Sequence, residues 1–106
     1  MAVPDTFRDL VLEKLEPIGD IQVRAMFGGY GVFESGSMFA LMAGSGLFFK
    51  VDESNRSTYE EAGSKQYGRM PYFRVPESVL EDSGTLQDWA RISVTVGRAA
   101  SKNKKK

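Results

Sequence analysis

The sequence predicts a two-layer α+β domain in which helices cover one face of an antiparallel sheet of about five strands. Three observations predict this fold class. A helical pattern near the N-terminus precedes four short apolar runs of period two, and glycine-bearing breaks of a few residues join those runs. Breaks of this length leave room only for hairpins, so consecutive strands are antiparallel neighbours. A further short strand and one or two helices follow, which supply apolar surface for one sheet face.

The first element is an amphipathic helix from about Asp5 to Glu16. Thr6 and Asp9 resemble a capping box at its start, and Gly19 after Pro17 is a plausible stop. Apolar residues at helical spacing give it one buried stripe: Phe7, Leu10, Val11, Leu15 and Ile18.

Four strands are then expected as a meander, over residues 21–27, 30–34, 38–43 and 47–51. In the first strand, Ile21, Val23, Ala25 and Phe27 share one face. The connections are Gly28-Gly29, the turn around Gly36, and Gly44-Ser45-Gly46.

The remaining elements are shorter and end in a long helical pattern. A helix over 56–62 follows the acidic start at Asp52 and closes at Gly63, and a strand over 72–75 ends at Pro76, which suggests a sheet edge. Pro76 fits the first position of another helix. Thr85 with Asp88 caps the last helix, whose inward face is Leu86, Trp89, Ala90, Ser93 and Val94.

We expect one folded domain over residues 1–100 and a disordered basic tail over 101–106. The formal net charge is zero, but five of the fourteen Lys and Arg residues lie in the last nine positions. The rest of the chain therefore carries nine basic residues against fourteen acidic ones. A stand-alone DNA-binding domain typically has a basic folded face, so this balance weighs against tight autonomous binding to DNA.

Composition limits the chemistry that the chain can perform. The sequence has no Cys and no His, which excludes disulfides, thiolate nucleophiles, histidine bases and ordinary transition-metal sites. Any catalysis would therefore have to rest on carboxylates, Tyr, Lys, Ser or Arg. We predict no catalytic residues, no metal and no cofactor. No apolar run approaches the ~18 residues of a membrane span, and the N-terminus lacks the pattern of a signal peptide, so a cytoplasmic location is expected.

Two motifs that can carry chemistry have simpler structural interpretations. Gly28-Gly29-Tyr30-Gly31 lacks the spacing of a phosphate-binding loop and joins two strands, so turn or bulge glycines are favoured. The acid pairs fall at predicted helix ends or exposed faces, where acids favour solubility and the helix dipole. These pairs are Asp52-Glu53, Glu60-Glu61 and Glu81-Asp82.

Three cations beside strand aromatics are the candidate contact residues: Arg24, Lys50 and Arg74. Phe48-Phe49-Lys50 and Tyr72-Phe73-Arg74 would present such a surface to nucleic-acid bases if aromatics and cations faced the same way. The simpler alternative is that Phe49 and Phe73 are core residues and the cations are solvated. Clustering of the three cations on one face favours the nucleic-acid interpretation, and scattering excludes it. The lysine tail adds at most weak, salt-sensitive phosphate contact.

Methionines in the strands suggest a second kind of contact. Met26, Met38 and Met42 would form an adaptable apolar patch for a partner if some of them lie on the uncovered sheet face. Sheets covered on one side often dimerise, and we expect a homodimer.

Ordered blocks of the sequence resemble the N-terminal domain of the TfoX/Sxy family. Residues 24–33 match its R-x-M-F-G-G-x-G-(aliphatic)-(aromatic) segment, and 38–41 and 47–52 resemble its next two strands. Tyr59-Glu60, then residues 72–77, then Leu86 with Trp89-Ala90 complete the pattern, which covers about residues 5–97.

The resemblance implies an α+β domain of the secretion-chaperone-like type with no catalytic residues and no cofactor. It also implies positive control of competence (DNA-uptake) genes together with the cyclic-AMP receptor protein. The longer members carry a C-terminal helical domain that this sequence does not include. The expected function is thus a non-enzymatic regulator acting through protein–protein contacts. The alternatives are a nucleic-acid-binding module and an enzyme using carboxylates or Tyr, which would need a deep pocket of converging polar side chains.

Overall fold

A computed structural model describes residues 3–26, 28–44 and 46–104, with 101–104 as backbone only. The elements in chain order are α1 (Asp5–Leu15), a 3-10 turn (Glu16–Ile18), β1 (Ile21–Met26), β2 (Gly29–Glu34), β3 (Ser37–Ala43), β4 (Gly46–Lys50), α2 (Arg56–Glu61), β5 (Tyr72–Arg74), α3 (Glu77–Glu81) and α4 (Ser83–Lys104). The predicted fold class is confirmed. Phe27 of the first predicted strand and Ser45 of the third turn lie outside the described residues.

The first helix buries the central residues of its predicted apolar stripe, but its N-terminus is not capped as the sequence predicted. Val11 and Leu15 are fully buried, whereas Leu10 remains exposed. Pro4 occupies the N-cap position and no side chain caps the helix, so the predicted capping box is wrong. Proline is tolerated there because the first N–H groups of a helix have no intrahelical partner.

The sheet is an antiparallel meander in the order β1-β2-β3-β4-β5. Ser35 and Gly36 have φ angles of 52° and 90°, which is the backbone that a two-residue hairpin requires. The pairing of β2 with β3 shifts register, since Val32 faces Ala40 whereas Phe33 faces Met38. Phe39 is therefore an extra residue, and this bulge sends both Phe39 and Ala40 into the core.

The helices cover one face of the sheet, and α4 supplies most of that layer. Its predicted inward face is confirmed, because Leu86, Ala90 and Ser93 are completely buried. The Ser93 hydroxyl donates to the carbonyl oxygen of Lys50 at 2.9 Å, which ties the helix to the end of β4. None of the helices in the described part of the chain is long and apolar enough to cross a membrane.

The ends of α4 differ from the sequence prediction. Asp82, not Thr85, provides the capping oxygens, since its carboxylate accepts from the Thr85 amide and from the Thr85 hydroxyl at 3.1 Å. The helix continues past Ala100 to Lys104, where we expected disorder, and Lys105 and Lys106 lie outside the described residues. Similarly, α3 begins at Glu77, and Pro76 precedes it as the N-cap residue.

The two edges of the sheet are unlike each other. β5 is the last strand, as Pro76 suggested, but the segment before it adds a short pairing along its outer side. The Arg74 amide donates to the Lys65 carbonyl oxygen at 2.9 Å, and the Tyr67 amide donates to the Tyr72 carbonyl oxygen at 2.8 Å. At the other edge, no described residue pairs with the outer side of β1.

Candidate interaction surface

All three predicted contact residues lie on the sheet face that points away from the helices, which we call the far face. The strand pairings put Lys50 opposite Tyr72, Arg74 opposite Phe48 and Arg24 opposite Gly31. The described strand residues of this face are Gln22, Arg24, Met26, Gly29, Gly31, Phe33, Met38, Leu41, Ala43, Gly46, Phe48, Lys50, Tyr72 and Arg74. The structure thus places Arg24, Lys50 and Arg74 on one face, with Lys50 and Arg74 on neighbouring strands and Arg24 on the opposite edge strand.

Each of these cations lies over an aromatic ring of the same face. The Arg24 guanidinium carbon is 5.0 Å from the centre of the Phe33 ring, and the Lys50 Nζ is 4.9 Å from that of Tyr72. The Arg74 guanidinium carbon is 5.9 Å from the centre of the Phe48 ring. Cation–π attraction holds the long side chains along the sheet and keeps their charges at its surface.

Two of the rings beneath these cations are not accessible. Phe48 is 8% exposed and Tyr72 is 3% exposed, because Tyr67 and Met70 from the preceding loop pack over them. The Tyr67 ring centre lies 4.9 Å from that of Phe48. Bases cannot stack on these rings unless the loop moves, whereas phosphate or carboxylate groups can reach the exposed Arg24 and Arg74 directly.

An apolar patch of sulfur and aromatic groups lies near the β1 end of the far face. It forms above Gly31, where an added Cβ would come within 2.6 Å of the Met26 sulfur and 3.3 Å of the Met38 methyl carbon. The Phe33 ring lies 3.2 Å from the same position. Met26, Met38 and Phe33 are all half-buried, while Met42 belongs to the core. The apolar patch that the sequence suggested is therefore present, and it contains Met26 and Met38 but not Met42.

The charged side chains that the strands carry on the far face are all basic. No acidic side chain lies on it within the described strands. Arg24 and Arg74 form no ion pair with any described residue. The overall excess of acids in the body is carried elsewhere, so this surface is complementary to anionic groups.

Glu34 is an inward-facing acid that sequence reasoning missed. Its carboxylate lies on the helix side of β2 and accepts hydrogen bonds from Ser35 Oγ at 3.0 Å and from the Arg98 guanidinium of α4. Burial raises the pKa of Glu34, but the bonds from Ser35 and Arg98 outweigh it and leave this pKa below its ordinary value. Alternation with Val32 was the available signal, since it places Glu34 on the core side of the strand.

Arg98 therefore has a structural role, although it is one of the five basic residues in the last nine positions. Asn55 is a second buried polar residue that the sequence did not reveal. Its side chain accepts from the Asp52 amide at 2.9 Å and donates to the Lys50 carbonyl oxygen at 3.2 Å. The Asp52 carboxylate in turn accepts from Ser54, so Asp52 shapes a turn before α2.

A cavity of about 370 Å³ adjoins the far face beside the C-terminal half of α4. It is lined by Met38, Lys50, Met70, Pro71, Tyr72, Gly97 and Ala100. Lys50 Nζ lies 3.5 Å from the Tyr72 hydroxyl, and burial raises the pKa of Tyr72 to about 12. This phenol thus stays protonated at neutral pH and offers a hydrogen-bond donor next to an ammonium group.

Among the described residues, no group of three or more Asp and Glu side chains is placed to hold a metal ion. The three acid pairs of the sequence lie outside the strands that form the far face. What this face provides is a broad binding surface with exposed cations, covered rings and a sulfur-rich patch.

Comparison with known proteins identifies the family. A family model described as the TfoX N-terminal domain matches residues 13–96. No curated protein gives a significant match. The match spans the end of α1, the whole sheet, the intervening helices and most of α4, and it agrees with the ordered blocks noted in the sequence. This chain therefore belongs to the TfoX N-terminal domain family.

Proposed function

We propose that this chain is a cytoplasmic, non-enzymatic regulator that acts in transcriptional control of competence genes by binding other proteins through its far face. The family is not a known enzyme family. The observation that carries the proposal is the composition of the face: half-buried Met26, Met38 and Phe33 share it with three cations, and no described strand places an acid on it. Methionine-rich apolar surface adapts to a partner, and the surrounding charge selects one bearing acidic side chains.

The proposed partner is the cyclic-AMP receptor protein, which the family resemblance implies. In this interpretation the far face contacts the receptor protein at a promoter, and this chain makes little direct contact with DNA. The covered Phe48 and Tyr72 rings support this choice, since base stacking would require the loop over them to move.

Direct nucleic-acid binding is the second candidate, and a specific observation favours it. Arg24, Lys50 and Arg74 share one face, as the nucleic-acid interpretation requires, and Lys50 and Arg74 lie on neighbouring strands while Arg24 lies on the opposite edge strand. Three phosphate contacts would make binding strongly salt-dependent, with a slope of log K against log salt of about −2.7 for duplex DNA.

A fluorescence-anisotropy titration of labelled promoter duplex distinguishes the two candidates. The full chain is added with and without the cyclic-AMP receptor protein and cyclic AMP, at low and near-physiological salt. A triple variant, Arg24→Gln/Lys50→Gln/Arg74→Gln, tests the far face. The matched control Lys14→Gln/Arg56→Gln/Arg91→Gln removes the same charge from the helical side of the domain.

The protein-contact proposal predicts binding only when the receptor protein is present. It further predicts a loss of at least about tenfold in affinity for the far-face variant, with the control close to wild type. Binding without the receptor that survives near-physiological salt and fails in the far-face variant favours the nucleic-acid module. Equal loss in both triple variants shows that net charge alone is responsible and contradicts both candidates.

A further inference from the structure

The outer edge of β1 is a strand edge that the described part of the chain leaves open. β1 has six residues, no proline and a regular register with β2 from Ile21 to Met26. The opposite edge, β5, has only three residues and is shielded by residues 65–67. An exposed edge of this length can pair with another strand when no proline or bulge blocks it and each charge on it meets an opposite charge.

One hydrogen bond shows which N–H and C=O groups of β1 point toward β2 and which point outward. The Ser35 amide donates to the Asp20 carbonyl oxygen at 3.0 Å, so Asp20 directs its polar groups toward β2. In an antiparallel ladder these directions alternate along the strand. Ile21, Val23 and Ala25 therefore direct their N–H and C=O groups outward, where a second strand can bond to them.

The side chains of this edge suit a second copy of the same chain. Asp20, Gln22 and Arg24 are exposed. Gln22 and Arg24 lie on the far face, and the alternation of the strand, extended by one residue, places Asp20 there too. Ile21 and Val23 point to the other side and pack half-buried against the core. The edge thus carries an acid and a base four residues apart on one face and a short apolar row on the other.

When two copies of β1 pair antiparallel, one residue of each copy faces its own counterpart at the centre of the pairing. Three residues near the middle of the strand can take this central position. A centre at Arg24 places the two arginines opposite each other, which is repulsive. A centre at Val23 places Asp20 opposite Met26. A centre at Gln22 places Asp20 opposite Arg24 twice and Ile21 opposite Val23 twice, so that both the charged and the apolar side chains match.

We infer that two copies of this chain dimerise through their β1 edges, antiparallel and centred on Gln22, with Asp20 of each copy opposite Arg24 of the other. The two sheets then form one continuous sheet, and the far faces of both copies join into a single surface. This inference does not depend on the proposed function, because it concerns the edge of the sheet and not the partner of its face.

Sedimentation equilibrium of the full chain, from about 1 μM to about 0.5 mM, tests the dimer. The wild-type protein should reach twice its mass of 11.8 kDa within that range. Asp20→Arg and Arg24→Asp should each raise the dissociation constant at least about tenfold, because each turns two attractive pairs into repulsive ones. The double variant Asp20→Arg/Arg24→Asp should return to within about threefold of wild type.

Two exposed residues away from β1 provide matched controls, and neither Arg69→Asp nor Asp88→Arg should change the dissociation constant. Far-UV circular dichroism checks that each variant is folded, and the milder Asp20→Asn and Arg24→Gln replace any that is not. A monomer throughout the range overturns the inference. A dimer insensitive to both single reversals overturns the β1 edge, and weakening without recovery in the double variant overturns the register centred on Gln22.

Discussion

Individual buried polar groups couple the helix layer to the sheet, and Glu34 with Arg98 is the clearest case. We expect Glu34→Gln to lower the free energy of unfolding by about 1 kcal/mol at pH 7, because the charge-assisted bond to Arg98 is lost. The folded pKa of Glu34 lies below its ordinary value. Its contribution is therefore complete above the unfolded pKa of about 4.3 and disappears as pH falls through the folded pKa.

Urea unfolding of wild type and Glu34→Gln at pH 7 and at about pH 3 measures this difference. The difference in the free energy of unfolding between the two proteins should be largest at pH 7 and should become smaller in acid. Glu81→Gln, at an exposed position, serves as the control and should show a small effect at both values. A gap that is unchanged in acid would show that the Glu34 carboxylate is not responsible.

Tyr59, unlike Glu34, stabilises the fold through the packing of its side chain and not through a polar contact. Its ring packs edge-on against Trp89 at 4.8 Å and against Phe73 at 6.0 Å between ring centres. Burial raises the pKa of its hydroxyl, which lies near Ser93. The Ser93 hydroxyl, however, donates its hydrogen bond to the Lys50 carbonyl oxygen, and among the described residues the Tyr59 hydroxyl has no well-aligned partner.

We therefore predict that Tyr59→Phe changes the free energy of unfolding by less than about 1 kcal/mol. Tyr59→Ala, in contrast, should cost about 3–5 kcal/mol because it leaves a cavity in the core. Thermal and urea unfolding of both variants test the pair. A large loss for Tyr59→Phe would mean that the hydroxyl makes a stronger hydrogen bond than its geometry indicates.

At the scale of elements, the close approach of α4 to β3 depends on Gly97. A Cβ at this position would lie 2.6 Å from the Met38 carbonyl oxygen, so a side chain there forces the helix and the strand apart. Gly84, in the first turn of the same helix, has only the Asp82 carboxylate nearby, at 3.6 Å. The two glycines share a helix and differ in what surrounds them.

Alanine substitutions at these two glycines should therefore change the free energy of unfolding in opposite directions. Gly97→Ala is expected to cost about 1–3 kcal/mol through overpacking, despite the better helix propensity of alanine. Gly84→Ala should be neutral or stabilise by up to about 1 kcal/mol. Chemical denaturation of both variants gives the comparison, and a stabilising Gly97→Ala would show that α4 can shift without loss.

For the whole molecule, the arrangement of the strands predicts a gradient of hydrogen-exchange protection. Amides of β3, at the centre of the sheet, should exchange most slowly. In the dilute protein the outward amides of Ile21, Val23 and Ala25 should exchange fastest within the strands, because nothing described bonds to them. Amide exchange followed by NMR at low and high concentration checks this. Fast exchange of β3 amides would contradict the sheet order.

The sequence alone determined the helices, the strands and the order in which they follow. It could do so because hydrophobic period and glycine breaks are local signals, and hairpins this short make consecutive strands neighbours. It also identified Arg24, Lys50 and Arg74 as the cations to examine. Whether these three residues share a face could not be derived from the sequence, since the answer depends on the register across five strands.

Only the tertiary structure decided which faces these residues occupy and which of them are covered. The bulge at Phe39 sets Met38 on the far face, because one extra residue reverses the alternation along β3. The loop that carries Tyr67 and Met70 buries Phe48 and Tyr72 beneath their cations, and α4 brings Arg98 to Glu34. These contacts join residues distant in the chain, and the local pattern that defines each strand contains no information about what packs upon it.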